Sequence, residues 1–251
     1  MEYNPYSLVG KTILVTGASS GIGQTTAIEC SKLGANLVIT GRNENRLTNT
    51  FSSLNGSGHS MIVADLDEED SISSLVDEVP NLDGLSCNAG IGVGSKPVAF
   101  YKKKDLDKIF QTNTYSAPLL IRGLLKKKKF NNPSSIVLTS SIEGNSVTSI
   151  GNGLYGMTKA ALSAYSRTVA LELAPKCIRC NVVTPGMVNT PLIAPTGDLT
   201  EEQLKADEQR YPLGRYGNTQ DIAWAIIYLL SDASCWMTGS TIKIDGGFSL
   251  V

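Results

Sequence analysis

The sequence has few of the residues that build disulfide frameworks, metal sites or membrane spans. It contains five scattered cysteines and one histidine, His59. Five scattered cysteines are not typical of a secreted disulfide scaffold. No run of about eighteen apolar residues occurs, so no membrane span is expected. The first residues lack the basic start and apolar stretch of a signal peptide, which predicts a cytoplasmic protein.

Charge and metal ligands are equally sparse. The 22 basic and 23 acidic side chains give a formal net charge of -1, so nucleic acid and membrane surfaces are not expected partners. The lysine runs 102–104 and 126–129 could suggest a phosphate-binding surface, but the second falls at a predicted helix end, where lysine favours the helix dipole. Cys177 and Cys180 form a CxxC pair without a second ligand pair, so no metal is expected. A small-molecule partner is therefore favoured.

Strand-like and helix-like segments alternate along the chain. Apolar, β-branched runs predict strands at 12–16, 36–40, 61–64, 84–87, 135–140, 178–184 and 241–244. Periodic segments between them predict helices near 21–33, 44–54, 68–79, 104–129, 153–174 and 219–231. This order favours right-handed βαβ units. We therefore expect α/β architecture in one domain over residues 1–251, a Rossmann-type doubly wound parallel sheet with helices on both faces and ligands at the strands' carboxyl ends.

A glycine-rich segment connects the first strand to the first helix. Gly17, Gly21 and Gly23 let the backbone approach a pyrophosphate, and the helix N-terminus offers N–H groups and a positive dipole. The strand-turn-helix setting favours a phosphate-binding turn over a ligand-free glycine turn.

These glycines begin a series of motifs that resembles the short-chain dehydrogenase/reductase family. The family's TGxxxGxG motif is matched by Thr16 to Gly23. The resemblance continues in order through Asp65, Asn88-Ala89-Gly90, Asn113, Ser141, Tyr155, Lys159, Pro185-Gly186 and Asp245-Gly246-Gly247. It spans almost the whole chain and implies an NAD(P)-dependent oxidoreductase acting on a carbonyl or alcohol.

The resemblance also implies a set of cofactor contacts. Asp65 would meet the adenine ring, and Asn88-Ala89-Gly90 would support the sheet beside the cofactor, although Cys87 stands where a second asparagine is frequent. The expected cofactor-binding residues are Gly17, Ser19, Ser20, Gly21, Ile22, Gly23, Arg42, Asp65, Leu66, Asn88, Ala89, Gly90, Tyr155, Lys159, Pro185, Gly186, Val188 and Thr190.

The end of the second strand bears on the choice between NAD and NADP. An acid there would bond the ribose 2′-hydroxyl, whereas an arginine accommodates a 2′-phosphate. The sequence reads Thr40-Gly41-Arg42-Asn43, with no acid. We expect NADP(H) to be preferred over NAD(H), the alternative being that Arg42 is simply exposed.

Tyr155 and Lys159 are four residues apart in a predicted helix and share one face. A neighbouring ammonium favours phenolate, so Lys159 is expected to lower the pKa of Tyr155 and make it a usable acid and base. The pair occurs often by accident, and the surrounding motifs favour the catalytic reading.

By resemblance, Ser141 would bind the substrate carbonyl, Tyr155 would transfer the proton, Lys159 would also hold the nicotinamide ribose, and Asn113 would anchor a water of the proton relay. Ser141-Ile-Glu-Gly144 matches the family's Ser-x-x-Gly, but its interval to Tyr155 is one residue longer than usual. Ser140 therefore remains an alternative, and a small insertion within 145–152 is expected to reshape the pocket wall.

The remaining expectations concern substrate and assembly. A lid at about 187–215, with a short helix at 201–209, would set specificity. A 3-oxoacyl thioester is the first substrate expected, with a hydroxysteroid or sugar alcohol as alternatives. A catalytically silent dinucleotide-binding sensor or scaffold is the alternative of another class. The long helices 104–129 and 153–174 resemble those that pair across a dimer interface, so a homo-oligomer is expected, a tetramer rather than a dimer.

Overall fold

The chain forms seven parallel strands in a computed structural model that describes residues 3–92, 94–192 and 201–251. The strands are β1 (Thr12–Thr16), β2 (Asn36–Gly41), β3 (Ser60–Val63), β4 (Leu82–Cys87), β5 (Phe130–Thr139), β6 (Ile178–Pro185) and β7 (Thr241–Ile244). They pair in the order β3-β2-β1-β4-β5-β6-β7. The predicted α/β fold with one doubly wound parallel sheet is confirmed.

Eight helices connect the strands within the described residues. They are α1 (Gly21–Lys32), α2 (Glu44–Ser52), α3 (Glu69–Glu78), α4 (Lys103–Phe110), α5 (Ser116–Lys126), α6 (Gly153–Leu173), α7 (Glu201–Glu208) and α8 (Thr219–Leu230).

Two predicted boundaries between residues 104 and 140 need correction. The single helix expected over 104–129 is two helices, α4 and α5, joined by a π-helical turn at Gln111–Tyr115, and it ends at Lys126. Strand β5 begins at Phe130 rather than at residue 135, because Phe130 pairs with Leu82 of β4. The residues after Phe130 are polar, so the apolar pattern did not predict this first part of the strand. Asn131 stabilises it through a 2.8 Å hydrogen bond to Asp83 Oδ1.

Two apolar layers enclose the sheet. Along β1, Leu14 packs into the layer with α3, α5 and α6, whereas Ile13 and Val15 pack into the layer with α1 and α8. All three side chains are fully buried, as expected for a parallel strand covered on both faces.

The strand order reverses between β1 and β4, because β2 and β3 continue from one side of β1 and the later strands from the other. In open α/β sheets a crevice forms at this switch point, beyond the carboxyl ends of the strands. The segments that leave β1, β4 and β5 at this edge contain most of the residues singled out from the sequence.

All five cysteines are free thiols. In the described part of the chain, no cluster of His, Cys, Asp and Glu side chains is arranged to hold a metal ion. No helix among the described residues has the length and apolar character needed to span a membrane.

Candidate active site

The turn between β1 and α1 packs closely against the segment after β4, and it places the N-terminus of α1 at the edge of the sheet. Gly17 has φ +63°, and a Cβ built on it would lie 2.8 Å from the backbone nitrogen of Ala89. Ser20, the N-cap of α1, makes no side-chain capping hydrogen bond, and the first turn of the helix contains no acidic residue. The N–H groups of that turn are therefore suited to an anion such as a pyrophosphate. Ser19, Ile22 and Gly23 complete the same turn.

Thr16 and Asn88 tie together the strand ends beneath this turn. Thr16 Oγ1 accepts hydrogen bonds from the backbone nitrogens of Asn88 and Ala89, at 3.1 and 3.3 Å. Asn88 Oδ1 accepts a 2.6 Å bond from Thr139 Oγ1, and its amide donates to Ser86 Oγ at 2.9 Å. The carboxyl ends of β1, β4 and β5 are thereby held in one fixed arrangement.

Asn113 lies buried in the π-helical turn and reaches the loop after β4. Its Oδ1 accepts a 2.7 Å bond from the Ile91 nitrogen, and its Nδ2 donates to the Ile91 carbonyl at 2.9 Å and to Thr158 Oγ1 at 3.3 Å. A Cβ built on Gly90 would lie 3.3 Å from Asn113 Oδ1 and 3.4 Å from Lys159 Nζ. Gly90, Asn113 and Lys159 therefore meet at one point beside β4.

The Lys159 side chain is buried at the start of α6. Its Nζ donates a 2.9 Å hydrogen bond to the Thr139 carbonyl and lies 5.7 Å from the centroid of the Tyr155 ring. Burial lowers the pKa of Lys159 from 10.5 to about 8. The ammonium is thus a stronger acid than that of an exposed lysine, because removal from water disfavours its charge.

Tyr155 is half-buried, two residues into α6. Burial raises the pKa of its phenol to about 12, a hydrogen bond with the Ser141 hydroxyl lowers it, and the nearby charge of Glu143 raises it. The pKa is therefore raised, contrary to the lowering expected from the four-residue interval to Lys159. Burial dominates here because the Lys159 ammonium bonds Thr139 and not the phenol.

Ser140 and Ser141 have different surroundings. Ser140 is buried, donates a 2.7 Å bond to the Lys159 carbonyl and accepts from Ser163 Oγ at 3.0 Å. Ser141 Oγ accepts a 3.1 Å bond from the Glu143 nitrogen and hydrogen-bonds Tyr155. Of the two, Ser141 is the serine adjacent to the phenol.

Arg42 follows β2 at the far end of the crevice. Its side chain is 56% exposed, and Nη1 lies 3.7 Å from Asp67 Oδ2. Asp65 Oδ1 accepts a 3.1 Å bond from the Asp67 nitrogen, which shapes the turn before α3. The neighbouring Leu66 points into the core, so only its backbone can face a ligand.

The segment after β6 crosses over the glycine-rich turn between β1 and α1. Pro185 accepts a 2.9 Å bond from the Ile142 nitrogen, and Gly186 donates to the Ile244 carbonyl at 2.9 Å. Val188 is buried and bridges to Gly217, while Thr190 Cγ2 lies 3.3 Å from a Cβ built on Gly21. Thr190 therefore lies directly over the turn, although it is distant in sequence.

Part of the expected lid at 187–215 is described. Helix α7 (Glu201–Glu208) agrees with the short helix predicted at 201–209, and Tyr211 accepts a 3.0 Å bond from the Met187 nitrogen. Residues 193–200 of the lid lie outside the described residues.

Comparison with known proteins identifies the family. A family model described as Enoyl-(Acyl carrier protein) reductase matches residues 17–249. The chain is 35% identical over 244 residues to a 3-oxoacyl-[acyl-carrier-protein] reductase FabG of Rickettsia felis, covering 97% of this chain and 99% of that protein. It is 33% identical over 255 residues to a glucose 1-dehydrogenase of Gluconobacter oxydans, covering 98% and 95%.

A solved structure described as a short chain dehydrogenase/reductase family protein superposes with a TM-score of 0.87 at 32% identity, covering 98% of this chain and 100% of that one. The chain belongs to the short-chain dehydrogenase/reductase family. As a short-chain dehydrogenase/reductase it is an oxidoreductase acting on CH–OH or carbonyl groups with NAD(P).

The crevice of this short-chain dehydrogenase/reductase fits a dinucleotide. The lack of a side chain on Gly17 lets this turn pack against the backbone of Ala89, and the N-terminus of α1 at the turn has no side-chain cap and no acidic residue. The unpaired N–H groups there suit an anionic group.

Sequence reasoning missed two residues that shape this short-chain dehydrogenase/reductase site. Thr139 binds Lys159 through its backbone carbonyl, a contact that any residue type could make and that leaves no sequence signal. Glu143 occupies a variable position of the Ser-x-x-Gly motif, between Ser141 and Gly144, where the pattern specifies no residue type.

Proposed function

We propose that the chain reduces a ketone with NADPH, with Tyr155 as the proton donor. The observation that carries the proposal is the meeting of Tyr155, Ser141 and Lys159 at the switch point, beside Gly90 and Asn113. A protein that only bound dinucleotide would need no phenol paired with a serine at this place.

Each side chain has a distinct task in this reaction. The bound cofactor supplies the hydride. The Ser141 hydroxyl holds the carbonyl oxygen of the substrate, and the Tyr155 hydroxyl delivers a proton to that oxygen as the alcohol forms. Lys159, whose Nζ is 5.7 Å from the centroid of the Tyr155 ring, opposes the negative charge of the phenolate at that distance without bonding the phenol itself. The π-helical turn around Asn113 disturbs the regular helix bonding there, which suits a backbone site for a relay water.

The preference for NADPH rests on Arg42. Its half-exposed guanidinium stands at the end of β2, where an acid would select NAD. Asp67 lies close enough to compete for Arg42, so the preference over NADH is expected to be moderate rather than absolute.

The substrate proposal is a 3-oxoacyl thioester. The matching reductase of Rickettsia felis bears that activity in its name, and the described part of the lid presents Leu192 and Leu213 as exposed apolar side chains. The glucose 1-dehydrogenase differs by only two percentage points of identity, 35% against 33%, so identity does not separate the two substrate classes. A sugar or hydroxysteroid is the alternative.

Assembly and location complete the proposal. We infer a homo-oligomer, a tetramer rather than a dimer, working in the cytoplasm on a small molecule. Leu171 on α6 and Trp236 before β7 support this, because both are large apolar side chains exposed to solvent, at 79% and 99%.

The test is a substrate panel at saturating NADPH. Acetoacetyl thioesters, steroid ketones, sugars and simple diketones are compared by nicotinamide absorbance. The thioester is expected to give the highest kcat/KM. A value at least about a hundredfold below that of another class would replace the thioester while leaving the hydride-transfer assignment in place.

A further inference from the structure

Glu143 is a buried acid two residues beyond Ser141. Its side chain is only 7% exposed. The carboxylate accepts two hydrogen bonds from Ser149, one from the backbone nitrogen to Oε1 and one from Oγ to Oε2, both at 2.8 Å. This bidentate arrangement fixes the position of Ser149 relative to Ser141.

The segment held in this way is the loop at residues 145–152, between β5 and α6. At its near end, Gly144 donates a 3.0 Å bond to the Val147 carbonyl, and at its far end the Gly151 carbonyl accepts from Lys96 at 3.0 Å. Between these ends Ile150 is 96% exposed. The loop thus connects Ser141 with the segment after β4, and it lies within the Ser141–Tyr155 interval.

The charge of Glu143 is not neutralised by an ion pair with any described side chain. Lys96, which faces the loop from the segment after β4, pairs with Asp105, and the Lys159 ammonium bonds Thr139. The Tyr101 hydroxyl approaches Gly153 at the start of α6. Among the described residues, the hydrogen bonds from Ser149 are therefore the contacts that hold the Glu143 carboxylate.

We propose that Glu143 is a positioning residue: its hydrogen bonds to Ser149 hold the 145–152 loop as a wall of the substrate site. That the loop borders the substrate rests on the proposed function, whereas the hold on the loop does not. The backbone nitrogen of the same residue also orients the Ser141 hydroxyl.

Three variants remove these hydrogen bonds to different extents. Glu143→Gln keeps the size of the side chain and the acceptor for the Ser149 nitrogen. Ser149→Ala removes one of the two hydrogen bonds. Glu143→Ala removes both. Circular dichroism and dinucleotide binding verify that each variant is folded.

The loop is tested without any turnover, by hydrogen exchange followed by mass spectrometry. Exchange in peptides covering 145–152 is expected to be about tenfold faster in Glu143→Ala than in wild type, with an intermediate increase in Ser149→Ala and little change in Glu143→Gln. Equal exchange in wild type and Glu143→Ala would overturn the positioning role.

The contribution to the substrate site is tested by steady-state kinetics on the carbonyl substrate with the highest wild-type kcat/KM. Glu143→Ala and Ser149→Ala should raise KM several-fold with kcat within about threefold of wild type, whereas Glu143→Gln should keep both near wild type. An unchanged KM in Glu143→Ala would overturn the part of the loop in the substrate site. A wild type inactive on every carbonyl and alcohol would instead reject the proposed function, and the exchange result would still stand.

Discussion

Lys159 Nζ donates a 2.9 Å hydrogen bond to the carbonyl oxygen of Thr139, the last residue of β5. This contact anchors the start of α6 to the sheet at the switch point and holds the ammonium in a buried place. The pKa of Lys159 falls from 10.5 to about 8 because burial disfavours the charged form. The effect of this burial on stability can be measured.

The first prediction concerns stability against pH. Between about 8 and 10.5 the unfolded chain binds more protons at this lysine than the folded chain, so the free energy of unfolding contributed by Lys159 rises with pH across this window. Lys159→Met lacks this rise. The melting temperature of the variant minus that of wild type should therefore fall steadily from pH 8 to 10.5.

Lys176→Met, at an exposed lysine beyond the end of α6, serves as the control and should give a flat difference. A flat difference for Lys159→Met as well would show that the buried ammonium is not titrating in this range.

The second prediction concerns Tyr155→Phe. The change removes the hydroxyl and almost no volume, so kcat should fall by about 10²- to 10⁴-fold while dinucleotide binding is retained. Steady-state kinetics and cofactor fluorescence measure the two quantities. Tyr165→Phe, on the same helix but packed against the core, should keep kcat near wild type. Comparable turnover in Tyr155→Phe would reject the phenol as the proton donor.

The third prediction concerns the glycine-rich turn between β1 and α1. Gly17→Ala places a methyl group 2.8 Å from the Ala89 nitrogen, at a backbone φ of +63°. We expect a loss of stability of about 1–3 kcal/mol and dinucleotide affinity at least about tenfold weaker. Gly10→Ala is the matched control, because Gly10 has φ +79° but no atom within 4 Å of the added Cβ.

Thermal melting and cofactor titration distinguish the two glycine variants. Gly10→Ala should show only the backbone strain and bind dinucleotide normally. Equal cofactor affinities in the two variants would mean that the close packing of the Gly17 turn against Ala89 is not needed for binding.

The fourth prediction concerns cofactor choice. Arg42→Ala should lower kcat/KM for NADPH by about 10- to 100-fold and leave that for NADH nearly unchanged, since only the former has a 2′-phosphate. Asp67→Asn should raise kcat/KM for NADPH, because it releases Arg42 from its 3.7 Å contact with the Asp67 carboxylate. Arg46→Ala, which changes an exposed arginine in the first turn of α2, is the control. A wild-type preference for NADH would contradict the assignment of Arg42.

The fifth prediction concerns assembly. Light scattering should give a mass about four times the 26.7 kDa of one chain. A mass equal to one chain would exclude the homo-oligomer.

The sequence by itself determined the fold class and nominated the candidate site residues. Alternating apolar strands and periodic helices specify the parallel sheet, because each element must bury its own apolar face. The glycines after β1 and the Tyr155–Lys159 interval were readable because backbone clearance and helix periodicity are local properties.

Only the tertiary structure decided the contacts between distant segments. Lys159 meets a backbone carbonyl of Thr139, Thr190 lies over Gly21, and Glu143 bonds Ser149 through the fold of a loop. Backbone acceptors carry no residue signature, so the direction of the Lys159 ammonium could not be read from the sequence. The pKa of Tyr155 followed from the same cause: spacing along a helix fixes the face on which a side chain lies, whereas burial and the neighbours from other segments fix its electrostatics.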